Sequence, residues 1–95
     1  MPTYIMLSRL SPEGLTTLKR NPSRLNEVNR EVEQFGARVM QQYALLGAYD
    51  FLTVLEAPDS ETVARISVEL GSRKTASYET LTAIPVEEFI SSLTS

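Results

Sequence analysis

The chain has 95 residues, of which 42% are hydrophobic and 22% charged, with a net charge of −3 and neither cysteine nor histidine. That length and composition fit one globular domain and exclude a disordered chain, while the acidic balance argues against nucleic acid or an anionic membrane as partner. Without Cys and His there is no disulfide, thiolate zinc site, cysteine nucleophile or histidine base, so any chemistry falls to Asp, Glu, Tyr, Arg, Lys, Ser, Thr or a bound group.

The run Thr3 to Leu10 (TYIMLSRL) is rich in strand formers and mostly apolar at both parities, which predicts a central strand covered on two sides. Ser11-Pro12-Glu13 is a helix start, with Ser as N-cap and Pro at the first helical position, and Leu15 and Leu18 mark one short helical turn. Asn21-Pro22 repeats the start signal, because a residue before proline is pushed out of the helical region. The main first helix is predicted over 22–35, with Leu25, Val28, Val32 and Phe35 as its apolar stripe and Gly36 as its stop. A second strand is predicted over 37–46, a tight type II′ hairpin over 46–49 with Gly47 at its first central position, and a third strand over 50–57. Pro58-Asp59-Ser60-Glu61 ends that strand and caps a second helix with stripe Val63, Ile66 and Leu70 and stop Gly71. A fourth strand over 77–84 and a short helix opened by Pro85 complete the chain.

The order β-α-β-β-α-β, with right-handed crossovers, predicts an α+β ferredoxin-like domain over residues 1–95: a four-stranded antiparallel sheet in order 4-1-3-2 with two helices on one face. Both central strands are apolar on both parities. Ile5 and Leu7 lie opposite Met6 and Leu10, and Phe51 and Leu55 lie opposite Leu52 and Val54. One set packs under the helices, and the other would be a large apolar patch on a lone subunit. The pattern therefore predicts a homodimer or higher homo-oligomer joined sheet to sheet. No stretch approaches the ~20 apolar residues of a membrane span, and no signal-peptide pattern precedes the first strand, so a cytoplasmic location is the expectation.

Gly47-Ala48-Tyr49-Asp50, with Glu56-Ala57-Pro58-Asp59 after it, Asn21-Pro22-Ser23-Arg24 upstream and Thr80-Leu81-Thr82-Ala83 downstream, resembles the GYD-domain family across nearly the whole chain. The resemblance implies the dimeric α/β-barrel superfamily, in which two ferredoxin-like sheets pack face to face. It implies no particular reaction, and fold alone does not decide one. Where the resemblance leads one to expect a glycine, and three residues later an arginine, this sequence has Lys74 and Ser77.

The candidate ligand-binding residues are Tyr49, Asp50, Arg9 and Tyr43. Asp50 is either a structural partner of Arg9 or a cap on the hairpin backbone, or else a polar handle at the mouth of a barrel cleft. Tyr43 either lines a cavity or pads the subunit interface. Asp50 and Glu56, six residues apart on one strand at ~3.3 Å each, are too far apart for a paired-carboxylate hydrolase. Asp59 reads as a helix N-cap, and Arg73 with Lys74 as a solvated basic loop. No local spacing supplies a carboxylate cluster for a metal, and no cofactor is expected. The RNA-recognition motif shares this element order, but Tyr4 and Phe51 are too few stacking aromatics and the charge has the wrong sign. Two functions are consistent with the residues: a non-catalytic oligomeric module that binds a small molecule or a protein partner between subunit sheets, or a cofactor-free isomerase- or oxygenase-like enzyme with Asp50 as base.

Overall fold

The computed structural model describes residues 1–94. It contains β1 (Thr3–Leu10), α1 (Pro12–Arg20), α2 (Arg24–Gln34), β2 (Arg38–Ala44), β3 (Phe51–Glu56), α3 (Ser60–Gly71), β4 (Ala76–Ala83) and α4 (Val86–Thr94). The four strands form one antiparallel sheet in the order β2-β3-β1-β4, the ferredoxin-like arrangement read from the other edge.

The described residues hold four helices: the two main ones expected, the expected short C-terminal helix, and α1, expected only as a single short turn. The Leu15–Leu18 turn is a full helix of 9 residues, because the Ser11 side chain accepts from the Gly14 N–H at 3.0 Å while Pro12 fills a position that needs no N–H. α1 stops at Asn21, ahead of Pro22, and α2 starts afresh at Arg24. α2 ends where Gly36 takes φ +105°, a conformation glycine adopts without a Cβ clash. The Asp59 carboxylate caps α3 by accepting from both the backbone N–H and the hydroxyl of Thr62, at 2.8 and 2.7 Å.

The expected two-residue hairpin is also corrected. β2 ends at Ala44 and β3 begins at Phe51, leaving a loop over 45–50 closed by Leu45 N–H to Asp50 C=O at 2.8 Å. Gly47 sits inside it at φ +124°. Asp50 lies just outside β3, and its backbone N–H still reaches the neighbouring β1 through the Ser8 carbonyl at 2.8 Å.

Register assigns the parities. Tyr4, Met6 and Ser8 of β1 are buried and face the helices, in rows with Leu55, Thr53 and Phe51 of β3 and with Thr82, Thr80 and Tyr78 of β4. The densest packing lies toward the Tyr4 end, where Leu55 and Ile66 are 0% exposed and Val63 1%. The opposite face carries Ile5 and Leu7 of β1, Leu52 and Val54 of β3, Tyr43 of β2 and Leu81 of β4, all half-buried or exposed. A bulge at Met40, between Val39 and Gln41, shifts the β2 register. α4 buries none of its residues, and its Phe89, Ile90 and Leu93 lie open.

Candidate functional site

Three regions of this fold gather chemistry. The first is the loop over 45–50, which brings Arg9, Tyr49 and Asp50 together. The Asp50 carboxylate accepts from the Leu10 backbone N–H at 2.8 Å, so it serves as the cap on the loop backbone rather than as an ion-pair partner of Arg9. Arg9 instead donates its Nε–H to the Ala48 carbonyl at 2.7 Å and lies 5.3 Å from the centroid of the Tyr49 ring, in cation–π range. The Tyr49 hydroxyl donates to the Glu79 carboxylate, and that hydrogen bond, with the negative charge behind it, pushes the phenol above its usual range. Arg9, Tyr49 and Glu79 thus form a half-exposed cluster that joins the loop to β1 and β4.

The second region is the open sheet face. Tyr43 lies there, away from the helices, in a row across all four strands: Tyr43, Leu52, Leu7 and Glu79 are register partners in turn. The adjacent row is Gln41, Val54, Ile5 and Leu81. The centre of the face is therefore aliphatic, and its margins carry an amide, a phenol and a carboxylate. Arg38 and Glu56, paired at 3.9 Å, close one end. Of the four candidate residues, three meet at the loop and Tyr43 stands on the sheet.

The third region is a cavity of about 210 Å³ on the helix-facing side, which the sequence reading missed. Its floor is the row Phe51, Ser8 and Tyr78, with Met6 and Thr53 beside it, and its roof comes from α1 and α2, including Leu18, Leu25 and Val28. Asn29 on α2 exchanges hydrogen bonds with Gln42 on β2 at 2.9 and 3.3 Å, and Gln42 donates on to Thr53 at 2.9 Å. Arg73 bridges from the loop after α3 to α2 through two bonds to Glu31, at 2.6 and 3.2 Å, and Arg24 reaches the same carboxylate at 3.5 Å. Arg73, read from sequence as a solvated loop residue, is thus a tie between two helical elements. Asp50 is not among the lining residues. The one sequence signal for this region is Ser8, a hydroxyl at a helix-facing position of an otherwise apolar parity.

Among the described residues no group of three Asp or Glu side chains comes close enough to hold a metal ion, and no helix is long and apolar enough to cross a membrane.

Comparison with known proteins agrees with this architecture. The crystal structure of TTHA0845 from Thermus thermophilus superposes with a TM-score of 0.57 over 90% of this chain and 95% of that one, at 20% identity, a likeness of fold. A protein of Thermus thermophilus named "Glutamine synthetase and cystathionine beta-lyase binding protein" is 52% identical over 94 residues, 98% of this chain and 99% of that protein. The pattern of the GYD domain matches residues 4–93, and with it the chain belongs to the GYD-domain family.

Proposed function

We propose that this chain is a non-catalytic, self-assembling protein-binding module whose partner is a metabolic enzyme of the glutamine synthetase or cystathionine β-lyase kind. The observation that carries the reading is the open sheet face. Ile5, Leu7, Leu52, Val54 and Leu81 form a contiguous aliphatic surface that a lone subunit leaves in water. A second copy of the chain is the occupant that fits it best. The same chain carries α4, whose Phe89, Ile90 and Leu93 are unburied and supply an apolar helix for such an assembly. Two unpartnered apolar surfaces on one small domain favour association, because a domain of this size has little core of its own to spare.

The enzyme partner is supported by the relative that is 52% identical over almost the full length of both chains and is named for binding two enzymes. The alternative, an enzyme with Asp50 as general base, finds less support: that carboxylate is engaged by the Leu10 N–H and lies outside the cavity.

The test mixes the purified chain with purified glutamine synthetase and, separately, cystathionine β-lyase from its own organism, with serum albumin as control. Calorimetry is expected to give saturable, stoichiometric binding to at least one enzyme, and light scattering on the chain alone is expected to give at least a dimer mass. Binding to neither enzyme overturns the partner assignment, and a monomer mass overturns the assembly.

A further inference from the structure

The cavity under α1 and α2 is not explained by assembly or by an enzyme partner, since it lies on the other face of the sheet. The cavity is a partly open cleft rather than a sealed void, with the exposed Thr17 at its margin, and its volume of about 210 Å³ is ample for a small molecule. An apolar cavity of ~150 Å³ takes benzene, and on that scale this one takes a molecule of about eight to ten heavy atoms.

The lining fixes the chemistry of that molecule. Most of the wall is aliphatic or aromatic: Met6, Leu18, Leu25, Val28, Phe51 and Leu70 contribute to it. Threonine hydroxyls and the Asn29–Gln42 amides also reach the lining, but the Ser8 and Tyr78 hydroxyls stand side by side on the floor, since the two are register partners on adjacent strands. Ser8 is only 8% exposed, and neither side chain makes a hydrogen bond among the described residues. No buried side-chain nitrogen or oxygen among the described residues lacks a partner, so these two unpaired hydroxyls open onto the cavity space rather than being sealed in the core, where a molecule entering the cavity can meet them.

The charged lining is of one sign. Arg24 and Arg73 both border the cavity, no carboxylate does, and their counter-ions Glu27 and Glu31 stand outside the lining. Arg24 uses only Nη1 in its pairs with Glu27 and Glu31, which leaves Nε–H and Nη2–H available. Burial pushes the Tyr78 phenol up, so it remains a protonated donor at neutral pH, with both guanidinium groups acting on it in the opposite sense.

We propose that this cavity is a binding site for a small monocarboxylate with an apolar aromatic or aliphatic body, the body lying against Phe51, Leu25 and Val28 and the carboxylate taken by the Ser8 and Tyr78 hydroxyls and Arg24. Its ligand is distinct from the sheet-face partner, and the proposal does not rest on the enzyme-binding reading.

Benzoate and hexanoate are the probes, with benzyl alcohol and 1-hexanol as neutral counterparts of the same size. In amide-resolved NMR titrations, at least one of the two carboxylates is expected to saturate at or below about 1 mM, a reasonable ligand efficiency for molecules this small. The largest shifts are expected on Leu25, Val28 and Leu70 rather than on Ile5 and Leu81 of the open face. Tyr78→Phe, which keeps the ring, and Arg24→Gln are each expected to weaken binding about tenfold, as loss of a hydrogen bond to a charged group does. Ser8→Ala serves in place of either variant that fails to show a native circular dichroism spectrum. No saturation by either carboxylate, equal binding of the neutral alcohols, shifts confined to the open face, or wild-type affinity in all folded variants would each overturn the assignment.

Discussion

The carboxylate of Asp50 accepts a hydrogen bond from the backbone N–H of Leu10 at 2.8 Å, and the backbone N–H of Asp50 donates to the carbonyl of Ser8 at 2.8 Å. One residue of the loop over 45–50 therefore satisfies the end of β1 twice, once through its side chain and once through its main chain. Replacing Asp50 with alanine leaves the half-buried Leu10 N–H without an acceptor, which costs about 1–2 kcal/mol. For a domain of this length that corresponds to a fall of roughly 5–15 °C in melting temperature. Asp50→Asn keeps an acceptor oxygen in place and is expected to stay within about 1 kcal/mol of the natural protein. Thermal melts of the two variants decide it, and an unchanged melting temperature in Asp50→Ala would remove the structural role.

The Glu31–Arg73 tie predicts a pH dependence. The hydrogen bonds from Arg73 hold the Glu31 carboxyl below its usual range; partial burial acts the other way, and the positive charges of Arg73 and Arg24 add to the lowering. A carboxyl lowered in the folded state contributes stability that is fully present above its unfolded value of about 4.3 and is lost as pH falls through the folded value. Glu31→Gln is therefore expected to be less stable than the natural protein near neutral pH, by up to about 1 kcal/mol for a pair this exposed. The gap should close as pH falls below the unfolded value and on through the lowered folded one. Urea unfolding at a series of pH values measures it, and a gap that widens on acidification would refute the assignment.

The parts of this fold that are legible in the sequence are the ones set by local chemistry. Pro22 splits the helices, Gly36 ends α2 and Asp59 caps α3 because each acts through its own backbone or its nearest neighbours. Strand order follows from element order and crossover handedness. The 45–50 loop departs from the expected hairpin because its geometry depends on Leu10, 40 positions away from Asp50. Arg73 departs from the expected solvated loop for the same reason, since Glu31 is 42 positions away. The parity of β1 is not legible at all: Tyr4 and Met6 are no more apolar than Ile5 and Leu7. The cavity depends on how far α1 and α2 stand from the sheet, a distance that no periodicity encodes.

Two glycines predict opposite outcomes for the same substitution. A β-carbon on Gly14 would lie 2.1 Å from the backbone carbonyl oxygen of Thr75, which already accepts the Ser11 N–H at 2.9 Å. That oxygen belongs to the main chain at the entrance to β4 and has little room to yield. Gly14→Ala is expected to destabilise by about 2–3 kcal/mol, as forced overpacking does. Gly71, also helical, has nothing within 4 Å of its added carbon. Gly71→Ala is expected to stabilise by up to about 1 kcal/mol through helix propensity. Denaturant midpoints compare them directly, and a destabilised Gly71→Ala beside a neutral Gly14→Ala would contradict the packing described.

Lys74 occupies φ +63°, the left-handed region, where a side chain crowds the following carbonyl. This is the position at which the family resemblance leads one to expect glycine. The strain there is about 1 kcal/mol, and glycine relieves it at the cost of a more flexible unfolded chain. Lys74→Gly is expected to raise stability by about 0.5 kcal/mol, the reverse of the usual effect of introducing glycine. A lower urea midpoint for Lys74→Gly would show that the turn before β4 holds Lys74 by contacts that outweigh its backbone conformation.

The final prediction separates the two faces of β1 and tests the proposed assembly. Met6 is 4% exposed and faces the helices, so a lysine there must bury its charge or tear the core open. Met6→Lys is expected to lose about 4 kcal/mol or more, a large share of the ~5–15 kcal/mol that holds a domain together, and to unfold or aggregate. Leu7, the next residue, points to the open face between its register partners Leu52 and Glu79. In an isolated subunit a lysine there reaches water and finds a carboxylate in the neighbouring strand, so it costs little. In a sheet-to-sheet dimer the same lysine would stand in the middle of an apolar interface. Leu7→Lys is therefore expected to keep a native circular dichroism spectrum and a cooperative melt while its mass by light scattering falls to that of one chain. Leu7→Ala, which removes apolar surface without adding charge, should dissociate less completely at the same concentration. A folded Leu7→Lys that remains a dimer would show that the chains meet somewhere other than this face, and would move attention to the unburied Phe89, Ile90 and Leu93 of α4.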